Sequence, residues 1–595
     1  MAGTGSRSPQ HAACFANPRE SRLRHIQLRA GSWRLWIGVF TRIQVGLWTQ
    51  PVPEISIISK HFEGSASQQA RLAYSPRCWC SGYPLLPSLL PFLQKRKKTM
   101  MWTISGGQIP AILVGMGSGE PFNNLLDWVR DYASDLGFIT QTVLFNEIEI
   151  CVTNSVMLRR VLVTHTNIYA KNPVSSGFFE RFLGTGLLTA MGDVHKKQRT
   201  IMNPVFKVKH IHSLLPLFFQ CANELKQNWM HALEDTKDIT IDTLYEISRP
   251  AINAIGRAGF GFDFDACAMG GSTSDLYRAF YVFLEAFYVV NFVTLVFAPF
   301  LRFILPTQIK VRREQVWARR VIEEAGKEIL ESRKREVEEE KSGVGAAETG
   351  MEKSENLLTV MLRANLNEEE GKRLSDAEVQ AQIGTFLVAG FETTSVAVTW
   401  TLEFLTLYPR VQEKLRAELR EHMPTISSEP SAEYIHSSST YLHAVVQESL
   451  RLMPPVPLVD RRTTQDDHVG GYTIPKGTNV IWSPYVIHRL KEFWGEDAEE
   501  YKPERWLAYK ASDEIEEAGG AGSRPFGAFI PFGAGPRNCI GFRFAMLEAK
   551  AFLTVLVRTF EFHSVDTVPR PCSRRSMVTM KPSDKLELKL RRVIE

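Results

Sequence analysis

Phe532-Gly-Ala-Gly-Pro-Arg-Asn-Cys-Ile-Gly541 is the stretch from which the rest of the chain takes its meaning. Gly533, Gly535, Pro536 and Gly541 forbid a regular helix and permit a tight turn that lets backbone approach a ligand closely. Cys539 stands at the exit of that turn, before a strong helix pattern running to Lys550. A thiol at a helix start meets free N–H groups and the positive end of the macrodipole, so the thiolate is expected to be favoured. Arg537 adds a cation able to pair with an anionic group. The loop reads as a mount that holds one cysteine beneath a metal; a buried structural cysteine at a Gly-rich turn is the plainer alternative.

One cysteine cannot close a zinc site, which takes four N or S ligands. It can be the sole protein ligand of a haem iron. The set Phe532, Gly535, Arg537, Cys539 and Gly541, spaced F-x-x-G-x-R-x-C-x-G, resembles the haem-binding signature of the cytochrome P450 family. The resemblance implies haem b, with Cys539 as the metal ligand and the other four as cofactor-binding residues.

A second stretch lies upstream. Ser375-Asp-Ala-Glu378 has the form of a capping box and predicts a helix from there to about Leu407, ended by Pro409. Residues 383–398 are apolar nearly all round, as in a helix buried through the protein's centre. Within it, Ala389-Gly-Phe-Glu-Thr-Thr394 places an acid and a hydroxyl in apolar surroundings, and Gly390 is expected to leave room for a ligand beside the helix. Thr393 back-bonding to a carbonyl is the alternative to a proton relay. The stretch resembles the family's A-G-x-[DE]-T-T oxygen-activation motif, which implies catalytic roles for Glu392 and Thr393.

Glu448-Ser-Leu-Arg451 sets opposite charges at i, i+3, and Tyr501-Lys-Pro-Glu-Arg-Trp506 follows. These resemble the family's E-x-x-R and P-E-R-F motifs, implying a structural ion network of Glu448, Arg451 and Arg505, with Trp506 where Phe is usual. Gly192-Asp-Val-His-Lys-Lys-Gln-Arg199 opens a helix with His195 and Arg199 one turn apart on one face. Such a pair suits either a haem carboxylate or a solvated basic face. The family usually has Trp at His195, whereas Arg199 keeps its position. Arg461, before the strand-and-turn segment Gly470–Thr478, is a further candidate haem-carboxylate contact by resemblance.

Composition sets the remaining bounds. The chain has 595 residues and a net charge of +5. Residues 1–100 carry 14 Lys/Arg against three Asp/Glu, or +11, leaving −6 for the remainder. A basic head on a mildly acidic body speaks against nucleic-acid binding. Residues 1–105 read as an atypical leader, disordered, membrane-surface or wrongly assembled, with Met100 or Met101 as the true start. The eight cysteines are scattered and form no disulfide framework. The uncharged run 286–301 is too short to span a bilayer; it reads as a plain core helix or, by resemblance to the family's corresponding region, as a buried or membrane-dipping segment near a substrate entrance. Residues 334–356 are charged and non-periodic and are expected to form a long surface loop.

The reading is therefore a mainly α protein with a small β region, a single integrated P450-type haem domain over 106–595. By resemblance to the family's fungal branch it is a haem-thiolate monooxygenase acting on a lipophilic small molecule, in secondary-metabolite tailoring or xenobiotic oxidation. Electrons would come from NADPH through a separate P450 reductase, with cytochrome b5 a second candidate donor, since the chain has neither a P-loop nor a dinucleotide fingerprint. A membrane-surface position on the cytosolic face of the endoplasmic reticulum is implied in the same way. A reductase-independent haem-thiolate isomerase or dehydratase, and a non-catalytic haem-binding protein, are the rivals.

Overall fold

A computed structural model describes residues 122–132, 137–142, 148–267, 275–283, 306–342, 356–507 and 524–594, positions 277, 426, 439 and 577 excepted. The leader and the run 286–301 lie outside the described residues. Eleven helices of ten or more residues occur among those described. They are α1 Asn123–Tyr132, α2 Pro173–Leu183, α3 Gly192–Met202, α4 Leu215–Ala232, α5 Thr243–Ile255, α6 Pro306–Ser342, α7 Leu357–Asn367, α8 Asp376–Leu407, α9 Pro409–His422, α10 Tyr441–Leu452 and α11 Phe542–Thr559.

Helix α8 is the axis. The Ser375 hydroxyl accepts from Glu378 N at 3.3 Å, and the Glu378 carboxylate accepts from Ser375 N at 2.9 Å, so both bonds of the capping box form. At the other end Tyr408 caps the helix, and Pro409 opens α9, where its missing N–H costs nothing. The expected span of this helix is thus observed. Because α8 has no polar face, α5, α6, α10 and α11 can all pack along it.

The charged segment from Lys334 is corrected at its start. It continues α6 as helix to Ser342. Its side chains explain why. Arg333 donates to the Phe260 carbonyl at 2.7 Å and to that of Gly261 at 2.7 Å, Lys334 pairs with Asp376, and Val337 is buried. Good helix formers with a single buried stripe suffice without a clear apolar period. Residues 343–355 lie outside the described set.

The β region is small. Strands β1 Phe138–Thr142, β2 Ile148–Val152, β3 Tyr169–Ala170, β5 Val459–Thr463 and β8 Asn479–Trp482 make one sheet in the order β1-β2-β8-β5-β3, with β2 and β8 parallel. Strands β1 and β2 pair antiparallel, Phe138 opposite Val152 and Thr142 opposite Ile148. Strand β4 Ile239–Asp242 joins β12 Glu587–Arg592 and β9 Phe560–Ser564. Strands β6 Asp467–Val469 and β7 Tyr472–Ile474 form a hairpin. β10 Arg574–Ser576 pairs with β11 Met580–Pro582, which reaches the middle of α8.

Candidate active site

The 532–541 loop is held by its own backbone. Cys539 N donates to Phe532 O at 2.8 Å and Asn538 N to Gly535 O at 3.0 Å, around a single 3-10 turn at Gly535–Arg537. Gly535 has φ +71°, and a Cβ there would stand 2.0 Å from the Leu162 carbonyl oxygen, so no other residue fits. Gly541 differs. Its φ of −91° is open to any residue, and an added Cβ would only touch Phe206 at 3.8 Å. Phe532 sets its ring 6.1 Å from that of Phe542, tying the loop to the first turn of α11.

Cys539 has accessible surface, yet it is enclosed by protein mass, the signature of a group on the wall of an interior hollow. Burial pushes its thiol pKa up, only partly offset by the Gly541 N–H and the Arg199 charge. Desolvation outweighs the helix start here, so the protein groups around Cys539 do not by themselves favour the expected thiolate. A coordinating metal reverses that balance by displacing the proton outright.

The facing wall comes from α8. Ala389 and Thr393, one turn apart, are accessible in the middle of a helix whose neighbours Val388, Phe391, Glu392 and Thr394 are buried. Phe206 links this wall to the loop: its ring packs edge-on to Phe386 of α8 at 5.5 Å and lies against Gly541. Thr393 Oγ1 donates to Ala389 O at 2.7 Å, so the back-bond forms while the hydroxyl stays accessible. Gly390 does not leave room for a ligand. A Cβ there would meet Ile255 Cγ1 at 2.8 Å, so the glycine admits α5 instead. Glu392 turns away toward β11, accepting from Thr579 Oγ1 at 3.0 Å and pairing with Lys581. Neither partner was visible in the sequence, since nearly two hundred residues separate them from Glu392.

Five basic groups gather beside the loop: Lys171, His195, Arg199, Arg461 and Arg537. Arg199 donates to Asn538 O at 2.8 Å and to Asn538 Oδ1 at 2.7 Å; Arg537 donates to Ala190 O at 2.8 Å. Arg461 donates to Asp460 O at 2.7 Å and lies over the Trp482 ring at 5.1 Å. Burial, then Arg537, Lys171, Arg199 and Arg461, push the His195 pKa down to about 3, so it is a neutral donor. Burial followed by Arg461 and Arg199 lowers Arg537 to about 10. Among the described residues no carboxylate forms an ion pair with any of the five. Like charges crowded in a desolvated site are unfavourable unless an anion joins them, and a dianionic tetrapyrrole with a thiol at its centre fits that donor set. Lys171 belongs to no motif and was missed.

Behind α10 the ion network is complete. Glu448, fully buried, accepts from Arg451 Nε at 2.8 Å, Arg505 Nε at 2.9 Å and Lys502 N at 2.8 Å. Trp506 Nε1 donates to the same carboxylate at 2.9 Å, a bond that Phe could not make.

Comparison with known proteins agrees with this geometry. The family model "Cytochrome P450" matches residues 107–590. Cytochrome P450 monooxygenase 205 of Postia placenta is 33% identical over 78% of this chain and 85% of its own. Cytochrome P450 monooxygenase sphH of Aspergillus fumigatus is 30% identical over 78% of this chain and 82% of its own. The ganoderic acid synthetase of Ganoderma lucidum is 29% identical over 73% and 83%. This chain belongs to the cytochrome P450 family and is one of its monooxygenases.

Proposed function

We propose that Cys539 is the protein ligand of a haem iron, that His195, Arg199, Arg461 and Arg537 hold the ring carboxylates, and that the enzyme oxygenates a lipophilic small molecule of fungal secondary metabolism. One observation carries this: an accessible thiol in a desolvated hollow, beside a cluster of cations without carboxylate partners. The relatives' names support the metabolic class. The haem supplies the one-electron and dioxygen chemistry that side chains lack. The chain supplies position and protons. Because Thr393 donates to Ala389 O, its lone pairs face the hollow and can accept a hydrogen bond from a water or substrate group there. Breaking the 2.7 Å back-bond would free its proton for delivery in the other direction. Glu392 stands behind it as the acid of the relay, tied to Lys581 and Thr579. Phe178, Phe182 and Phe283, with ring centroids 4.7–6.0 Å apart, form an apolar wall beside α8 that excludes water and suits an apolar substrate. Electrons arrive from NADPH through a separate reductase, with Lys196 on the exposed face of α3 as a docking contact and cytochrome b5 as an alternative donor.

The test is the dithionite-reduced, CO-bound difference spectrum of the full chain and of Cys539→Ala. A strongly red-shifted Soret band in the parent and its loss in the variant are expected. The same band in both would overturn ligation by Cys539.

A further inference from the structure

We propose that the outer face of α6 is a docking surface for a second copy of this chain, the two helices lying antiparallel. The inner face is fully used. Ala318, Ile322, Ile329, Leu330 and Val337 are buried along it, and Gln380 of α8 donates to Glu323 O at 2.9 Å. On the opposite side Arg313, Arg320, Glu324, Lys327, Glu331 and Glu338 stand in one row, at the steps of three, four and seven residues that keep to a single helix face. All six are exposed. Among the described residues none of their side chains forms an ion pair or a hydrogen bond, although Lys310, Arg319, Arg333 and Lys334 of the same helix all do. Two further residues complete the row: Trp317, under the Arg278 guanidinium at 5.1 Å, and Lys334, paired with Asp376.

Helix stability does not account for the order of these charges. The arginines stand toward the N-terminal end and Glu331 and Glu338 toward the C-terminal end, the reverse of what the macrodipole favours. Arg320 and Lys327 each precede a glutamate by four residues, the weaker order for such a pair, and neither bond forms. Reversed, however, the row is its own complement. A twofold axis crossing α6 between Ala325 and Gly326 sets Arg313 opposite the partner's Glu338, Arg320 opposite the partner's Glu331 and Glu324 opposite the partner's Lys327. Symmetry repeats each pair. Trp317 then meets the partner's Lys334, a cation against an aromatic ring. All six charges are matched along about 38 Å of helix. Parallel helices would set every charge against its like, which selects the antiparallel arrangement. Exposed ion pairs contribute little each, and the row has one aromatic and no apolar core, so the dimer is weak and salt-labile.

The experiment is sedimentation velocity of the full-length, haem-loaded protein over about 1–100 μM. It is run at low salt and again at about 0.5 M, where screening shortens the reach of a charge to a few ångströms. A dimer that forms at low salt and dissociates at high salt is expected. Arg313→Glu and Glu338→Arg are each expected to weaken it about tenfold, since symmetry repeats each change. The double variant Arg313→Glu/Glu338→Arg restores the pair with its charges exchanged and is expected to return to within about threefold of the parent. Haem content should stay parental in all three. A parent that is monomeric under every condition overturns the proposal, and so does a dimer that neither single variant weakens. Singles that weaken it without rescue by the double overturn this pairing. Binding of a monomeric parent to phosphatidylserine vesicles, lost in Arg313→Glu, would assign the basic half of α6 to a membrane surface instead. If a charge reversal lowers haem content, the neutral Arg313→Gln decides: association equal to that of the parent overturns the contact.

Discussion

Trp506 shows how one atom changes a buried network. Glu448 sits at zero exposure, and its two oxygens accept from two arginines, a backbone amide and the Trp506 indole. Hydrogen bonds to a charged group are worth about 1.5–3 kcal/mol each. Trp506→Phe removes one donor yet leaves the arginines, so a loss of about 1.5 kcal/mol is expected, read as a lower denaturant midpoint with haem content unchanged. Gly390 makes a second case at this scale. Gly390→Ala drives a methyl against Ile255 and is expected to cost about 1–3 kcal/mol by overpacking. Adding Ile255→Ala should recover part of that loss; no recovery would show that the glycine serves something other than the α5 contact.

The seam between α8 and α11 holds a carboxyl that the motifs do not account for. Glu548 is fully buried, and neither its oxygens nor the Thr394 hydroxyl beside it makes a properly aligned hydrogen bond among the described residues. Burial holds its pKa well above the usual carboxylate range, with Thr394 offsetting only a little. A carboxyl whose folded pKa is raised contributes most to stability below its unfolded value, near 4.3, and loses that contribution as pH climbs toward the folded value. The neutral isostere Glu548→Gln cannot titrate. Relative to it, the parent is expected to lose about 1.4 kcal/mol per pH unit between those two values. Denaturant midpoints from pH 5 to pH 8 check this, and a constant difference would mean that the carboxyl is already ionised or already paired. Elements such as α8 were legible because capping box, apolar run and Pro409 all agree. The helical end of α6 was not, since its support comes from Phe260, Gly261 and Asp376, which are distant in sequence. The site divides in the same way. Cys539, Thr393 and Glu448 announce themselves by local spacing, whereas Lys171 and Lys581 acquire their places only through strand pairing.

At the scale of the whole molecule, charge is distributed unevenly: residues 101–595 sum to −6, yet α3 carries Lys196, Lys197 and Arg199. These three do different things. Arg199 points inward to Asn538. Lys197 pairs with Glu378 at 3.0 Å and donates to Arg373 O at 3.3 Å, reinforcing the start of α8. Only Lys196 is exposed and without a side-chain partner among the described residues. A local cation on an acidic body steers an acidic partner and speeds encounter without adding much affinity. Lys196→Glu is therefore expected to slow NADPH-supported turnover several-fold at low salt, with the deficit shrinking as salt screens it. Peroxide-supported turnover, which needs no reductase, and the denaturation midpoint should both stay at parental values. Lys197→Glu instead sets two carboxylates against each other at the capping box, and is expected to lower stability by about 1 kcal/mol and both turnovers together. Equal loss of the two turnovers in Lys196→Glu would place that lysine in the fold and remove it from the docking face.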